Sequence, residues 1–152
     1  MGTTRKQRGI NRIVVGVWDF EAGKRFYGDL LDATWQINPE GDAEAWGVQV
    51  AMAFDAGIEL VSPIEGKDSA ARTTMEANGE GILGVVFAVE DADASLAAAN
   101  EAGIDAFFTL DYSQDEIDRK LAGKFTRYYE HFLAAKPPLS GSVLLGEFID
   151  RE

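Results

Sequence analysis

The residues able to do chemistry are few, and their types set the first limits. Among 152 residues there is one histidine, His131, and no cysteine. Disulfides, thiolate ligands and a cysteine nucleophile are therefore excluded, and a single imidazole is available for proton transfer near neutral pH. His131 lies in Tyr128-Tyr129-Glu130-His131-Phe132, an extended stretch whose alternation groups His131 with Arg127 and Tyr129 and sets Tyr128 with Glu130 and Phe132 on the other face. Which face meets a ligand stays open: His131 either packs as an ordinary sheet residue or lines a ligand cleft, and Tyr128 and Tyr129 are the matching contact candidates. Gln49 is a polar outlier among the small apolar residues of Val48 to Ala53, suited to hydrogen-bonding a ligand. Trp46, Phe54, Phe107, Tyr112 and Phe148 also fall on or beside extended segments. Most of these rings belong to a core, and the remainder suit a groove for a flat organic molecule. No phosphate-cradling glycine loop, dinucleotide fingerprint or nucleophile elbow is present, so ATP, nicotinamide and classical hydrolase chemistry have no support.

Charge narrows the partners. The chain carries 14 basic and 26 acidic residues, net −12, and Arg5, Lys6, Arg8 and Arg12 all precede the first acid, so the rest is more acidic still. Such a field repels phosphate backbones and anionic membrane surfaces. The expectation is a small organic ligand, with no nucleic acid and no membrane. The opening Met1-Gly2-Thr3-Thr4-Arg5-Lys6 is not followed by an apolar run of the ~18 residues a span requires, and a cytoplasmic protein is expected.

The elements that must hold these groups are read from an internal repeat. Ile13-Val14-Val15-Gly16-Val17-Trp18-Asp19 and Val85-Val86-Phe87-Ala88-Val89-Glu90-Asp91 match at an offset of 72 residues. Each is a β-branched run ending in an aspartate suited to capping a helix, and a helix is expected after both. Phe26, Tyr27, Leu30 and Leu31 recur at helical spacing in the first, and the second runs over 92–102 with Gly103 as its C-terminal stop. Extended segments follow at 33–37, 46–54 and 58–61 in the first half and at 104–110, 125–133 and 143–149 in the second. Ser113-Gln114-Asp115-Glu116 forms a capping box that opens an added short helix ending by Gly123. This insertion explains why the strands around Glu59 and Glu147 lie 88 residues apart rather than 72. Residues 63–81 show no clear period and read as a loop or partial helix.

The ordered series Ile10 to Asp19, Arg25-Phe26-Tyr27 with Leu30-Leu31, Gly57-Ile58-Glu59-Leu60, and Gly84 to Asp91 resembles the vicinal oxygen chelate superfamily, which includes glyoxalase I, methylmalonyl-CoA epimerase, extradiol dioxygenases and bleomycin-resistance proteins. The resemblance covers roughly residues 9–150. It implies an α+β fold of two βαβββ modules forming a curled mixed sheet around a cleft, with the short helix inserted in the second module. The whole is expected as one domain, with module 1 at about 9–64, a linker at 65–80 and module 2 at about 81–150. A homodimer is also expected.

In that superfamily a metal is held by residues from the first and last strands of both modules. Carried over, those positions fall on Arg12, Glu59, Gly84 and Glu147. Two imidazoles are thus missing, and a guanidinium stands in for one. Alternation turns Arg12 toward the same face as Val14 and Gly16, and groups Glu147 with Val143, Leu145 and Ile149. A guanidinium beside two carboxylates disfavours a divalent transition metal, so no metal or other cofactor is expected. Arg12 is then either a structural ion pair in place of the metal or a holder of a carboxylate or enolate oxygen. In the second case Glu59 or Glu147 serves as general base in a metal-independent lyase or isomerase. The alternative is a non-catalytic drug-sequestering protein of the bleomycin-resistance type. A third reading is a metal-dependent enzyme in which Glu59, Glu147 and His131 rearrange as ligands.

Overall fold

The computed structural model describes residues 4–37 and 44–152. Its elements run β1 (Gly9–Gly16), α1 (Phe20–Leu31), β2 (Gln36–Ile37), β3 (Val48–Ala53), β4 (Ile58–Pro63), α2 (Ala70–Asn78), β5 (Gly81–Ala88), α3 (Ala92–Glu101), β6 (Ala106–Asp111), α4 (Gln114–Lys120), β7 (Phe125–Leu133) and β8 (Ser142–Asp150). The fold is α+β with two βαβββ modules and a helix inserted in the second. The chain divides into two compact units, Arg12–Leu83 and Met1–Asn11 with Gly84–Glu152. Among the described residues no helix is long and apolar enough to cross a membrane.

In unit Arg12–Leu83 the strands run in the order β2-β3-β4-β1, with β1 parallel to β4 and the other pairs antiparallel. The crossover between β1 and β4 contains α1, as a parallel pair requires. Asp19 starts that helix by accepting from the Ala22 amide at 3.0 Å. Its inner face closes on Val15, Val17, Ala51, Ala53, Ile58 and Leu60, all buried. Gly23 is the close-approach point, because a Cβ there would lie 2.7 Å from Val17. The expected strand at 33–37 shrinks to Gln36–Ile37, since three residues are spent leaving the helix. Asp32 closes α1 in a left-handed conformation, the Thr34 amide donates to the Asp55 carboxylate, and Trp35 Nε1 donates to the Lys24 carbonyl. Within 63–81 the structure forms α2, capped by Ser69 and anchored by buried Met75. Arg72 ties this segment down by donating to the carbonyls of Ile64 and Lys67.

In unit Met1–Asn11 with Gly84–Glu152 the order is β5-β8-β7-β6, with β5 parallel to β8 and the other pairs antiparallel. Asp91 caps α3 on the Ala94 amide at 2.9 Å. The Ser113/Glu116 capping box is present in full, and α4 stops as expected, with Gly123 at φ 65° donating to the Ile117 carbonyl. Ile117 and Leu121 are buried. Under this insertion lies a ring cluster in which Tyr128 stands 4.9 Å from Phe148 and 5.5 Å from Tyr112, centre to centre.

Candidate functional site

In the first module β1 buries Ile13, Val15 and Val17 toward α1 and turns Arg12, Val14 and Gly16 to the opposite face. The register places Glu59 beside Val14, and Met52 beside Glu59, on that same face. Arg12 is 1% exposed. Its Nε donates to Glu59 Oε2 at 3.2 Å, and its guanidinium carbon lies 5.9 Å from the centre of the Phe54 ring. Burying a guanidinium costs several kcal/mol unless it is paired, so the pair is dictated once Arg12 occupies an inward strand position. Glu59 keeps a narrow opening to solvent, its side chain 13% exposed. Its Oε2 is held by Arg12, and among the described residues Oε1 has no hydrogen-bond partner. The neighbours on this face, Val14, Val50, Met52 and Val61, are all buried and apolar.

Gln49 does not join this group. It pairs with Ser62 in the register, which puts it on the face opposite Glu59, where it is exposed. Both faces of β3 are apolar, so alternation alone could not assign it. Trp46 precedes β3 and is half-buried.

In the second module the expected grouping of Glu147 with Val143, Leu145 and Ile149 holds, but this is the face that meets α3. Glu147 Oε1 accepts from the Ala92 amide at 2.8 Å, at the start of α3. Its Oε2 lies 3.3 Å from Arg127 Nε and 3.9 Å from Lys6 Nζ. Gly84, Val86 and Ala88 share the other face with Leu144 and Gly146. The carboxylate expected beside the inward set is thus one residue out of phase with it. The position next to it on the inward face, Gly146, is roofed by Phe148, whose ring a Cβ would meet at 2.1 Å. Strand β8 is apolar on both faces, which is why the pattern Val143-Leu144-Leu145-Gly146-Glu147-Phe148 did not reveal the phase.

Tyr129 and His131 follow Glu147 to the α3 face, through the pairs Tyr129↔Glu147 and His131↔Leu145. His131 is 3% exposed. Its Nε2 lies 2.8 Å from Asp93 Oδ1 and its Nδ1 2.7 Å from Thr109 Oγ1. Tyr129 donates to the same Asp93 oxygen at 2.6 Å. That bond holds the Asp93 carboxyl below its ordinary range and pushes the Tyr129 phenol up to about 12. Asp93 and Thr109 were missed in the sequence. The available signal was an acidic residue in the first turn of a helix, where the helix dipole and open amides favour a carboxylate. Tyr128 belongs to the opposite face, 1% exposed within the ring cluster.

The metal implied by the resemblance can be tested against these donors. Position 12 is a guanidinium already bonded to Glu59. Position 84 is a glycine where even a Cβ would lie 2.0 Å from the Ser142 carbonyl oxygen. Position 147 is a carboxylate engaged at α3. Among the described residues no three His, Asp or Glu side chains are grouped as a metal centre needs. This donor set does not fit a transition metal.

The fold is shared with solved structures. A methylmalonyl-CoA epimerase in complex with methylmalonyl-CoA and NH4+ superimposes with a TM-score of 0.68 at 22% identity, covering 91% of this chain and 93% of that one. The methylmalonyl-CoA epimerase from Mycobacterium tuberculosis gives 0.67 at 17% identity, with 91% and 86% covered. A hypothetical protein from Bacillus halodurans C-125 gives 0.65 at 14% identity, with 97% and 95% covered. No curated protein matches the chain. The sequence model of the Glyoxalase/Bleomycin resistance protein/Dioxygenase superfamily matches residues 11–120. With both modules in place and that match spanning most of the chain, the protein belongs to this superfamily, the vicinal oxygen chelate group.

Proposed function

We propose that this protein binds a small carbonyl-containing organic molecule and moves a proton at the carbon next to the carbonyl, as a metal-independent lyase or isomerase. The observation that carries the reading is Glu59, a largely buried carboxylate with one oxygen fixed by Arg12 and the other without a hydrogen bond among the described residues. Such an oxygen is a positioned proton acceptor. Arg12 orients it and sets a permanent positive charge beside the place where an enolate oxygen develops. Glu147 is not given a part, because its two oxygens serve the start of α3 and Arg127.

The same fact favours a second reading, sequestration without turnover. With Glu147 engaged elsewhere, Glu59 is, among the described strand residues of its unit, the carboxylate placed on the face of Arg12. Proton transfer is tested by exchange from D2O into a panel of 2-substituted carbonyl compounds, methylmalonyl-CoA among them, followed by NMR in the presence of chelator. Exchange by the wild type that falls at least 100-fold in Glu59→Gln, with binding retained, is the expected result. Binding without exchange on any compound would favour sequestration. Exchange that disappears with chelator and returns with a divalent metal would overturn both in favour of a metal enzyme.

A further inference from the structure

We propose that Thr109, His131 and Asp93 form a second reactive site, on the α3 face of their unit, in which the Thr109 hydroxyl attacks small neutral carboxylic esters. The three side chains are joined in series. Thr109 Oγ1 lies 2.7 Å from His131 Nδ1, and His131 Nε2 lies 2.8 Å from Asp93 Oδ1. An ionised carboxylate can only accept, so Nε2 carries a proton, and in the neutral ring Nδ1 is left as the acceptor. The Thr109 hydroxyl therefore donates to it. A hydroxyl bonded to a base that a third group orients is the arrangement of an activated nucleophile. The ring is 3% exposed and held at both nitrogens, while Thr109 and Asp93, at the two ends of the series, are open to solvent. Tyr129 fixes the carboxylate by donating to the same Asp93 oxygen at 2.6 Å. No sequence motif marks the group, because its members come from β6, β7 and α3.

Strand pairing brings hydroxyl and ring together and leaves room for a substrate. Thr109 pairs with His131 across β6 and β7. The Tyr112 amide donates to the Tyr128 carbonyl, so backbone-bonded pairs fall at 112 and 110. Thr109 takes the alternate kind of pair, in which side chains stand closest and backbone groups turn outward. Strand β6 ends the sheet order, so the Thr109 N–H points to an edge that no other described strand covers. There it can receive the oxygen that gains charge during attack. Phe107 and Phe108, 63% and 40% exposed, precede Thr109 and offer apolar surface to an acyl or aryl group. Asp93, and Asp111 two residues along β6, disfavour an anionic ester.

In the reaction Thr109 Oγ1 bonds to the ester carbonyl carbon as its proton passes to His131 Nδ1. The bond to the leaving oxygen then breaks, and that oxygen takes the proton from His131. An acyl-threonine and a free alcohol result. Water, giving its proton to the same ring, releases the acid and returns the proton to Thr109.

The full-length protein with p-nitrophenyl acetate provides the test. A burst of about one equivalent of p-nitrophenol is expected, with a single acetyl group located on Thr109 by peptide mass spectrometry. Thr109→Val is expected to abolish the label and Thr109→Ser to keep it. Asp93→Asn removes the charge that stabilises the imidazolium formed as Thr109 gives up its proton, and is expected to slow the burst about 100-fold with an unchanged circular dichroism spectrum. Tyr129→Phe keeps that charge, and a smaller loss is expected. Absence of acetylation, acetyl groups spread over lysines, or labelling of Thr109 at equal rate in Asp93→Asn would each overturn the proposal. These variants leave Arg12 and Glu59 intact, so the outcome is read separately from proton exchange at Glu59.

Discussion

The two modules each contain an arginine bonded through Nε to a glutamate on another strand, and the two pairs differ in which side of the sheet they occupy. Arg12 and Glu59 lie on the face away from α1, with the guanidinium 1% exposed. Arg127 and Glu147 lie on the face toward α3, with side chains 39% and 14% exposed. The chemistry of the two pairs is the same, and one residue of phase along β8 makes the difference. On the face away from α1 water is largely excluded from the pair, whereas on the α3 face the pair is partly solvated and is shared with Lys6, Asp111 and the first amide of α3. A repeat of strands therefore does not guarantee a repeat of sites.

The sharpest way to break this comparison is to remove each arginine in turn. Arg12→Ala leaves Glu59 as an uncompensated, largely buried carboxylate, and a loss of about 3–5 kcal/mol in urea unfolding is expected. Arg127→Ala removes a partly solvated partner from a carboxylate that keeps other donors, and about 1 kcal/mol or less is expected. Equal losses would mean that burial does not distinguish the pairs.

A second test restores side chains to the inward glycines. At Gly84 a Cβ would meet a backbone carbonyl at 2.0 Å, and at Gly146 the ring of Phe148 at 2.1 Å. Gly84→Ala is expected to cost about 3 kcal/mol, since backbone must shift, and Gly146→Ala about 1–2 kcal/mol, since Phe148 can rotate aside. Gly84→His is expected to fail as a way of rebuilding a metal ligand, measured as no gain of bound metal by elemental analysis.

The smallest effect concerns the outer network and is read through pH. Donation to Asp93 raises the Tyr129 phenol to about 12. A raised folded value means that its contribution to stability is fully present below the ordinary value near 10 and is lost as pH rises through 12. Asp93 is held low, so its contribution is present above the ordinary carboxylate value and lost as pH falls below it. Following tyrosinate absorbance, Tyr129 is expected to ionise late, and Asp93→Asn to bring that component back toward 10. No late component would place Tyr129 outside the network.

The sequence made the modular plan legible because the physics behind it is local. Asp19 and Asp91 cap helices at the ends of matching strands, the Ser113/Glu116 box opens α4, and Phe125–Leu133 forms a strand over the residues that alternation marked. Alternation also put Arg12 on the strand face opposite Ile13, Val15 and Val17, the face away from α1, because those three residues are uniformly apolar. The same logic could not decide β8, where Leu144 and Leu145 offer both faces equally, nor β3, where Val48 to Ala53 leaves Gln49 unassigned. The Tyr129–Asp93–His131 contacts were invisible for a different reason: they join residues 36 and 38 positions apart, and nothing local requires them.

Helix α4 shows how one repeat could lengthen while the other stayed short. It carries its own start in the capping box, its own stop at Gly123, internal charge pairs between Asp115 and Arg119 and between Glu116 and Lys120, and a strap from Arg151 to Asp118. A segment so self-sufficient asks little of its host beyond a place for Ile117 and Leu121 to rest. It is a natural cassette. Exchange of residues 113–123 for another capped helix of equal length should alter this rim of the protein without retuning the strands beneath it.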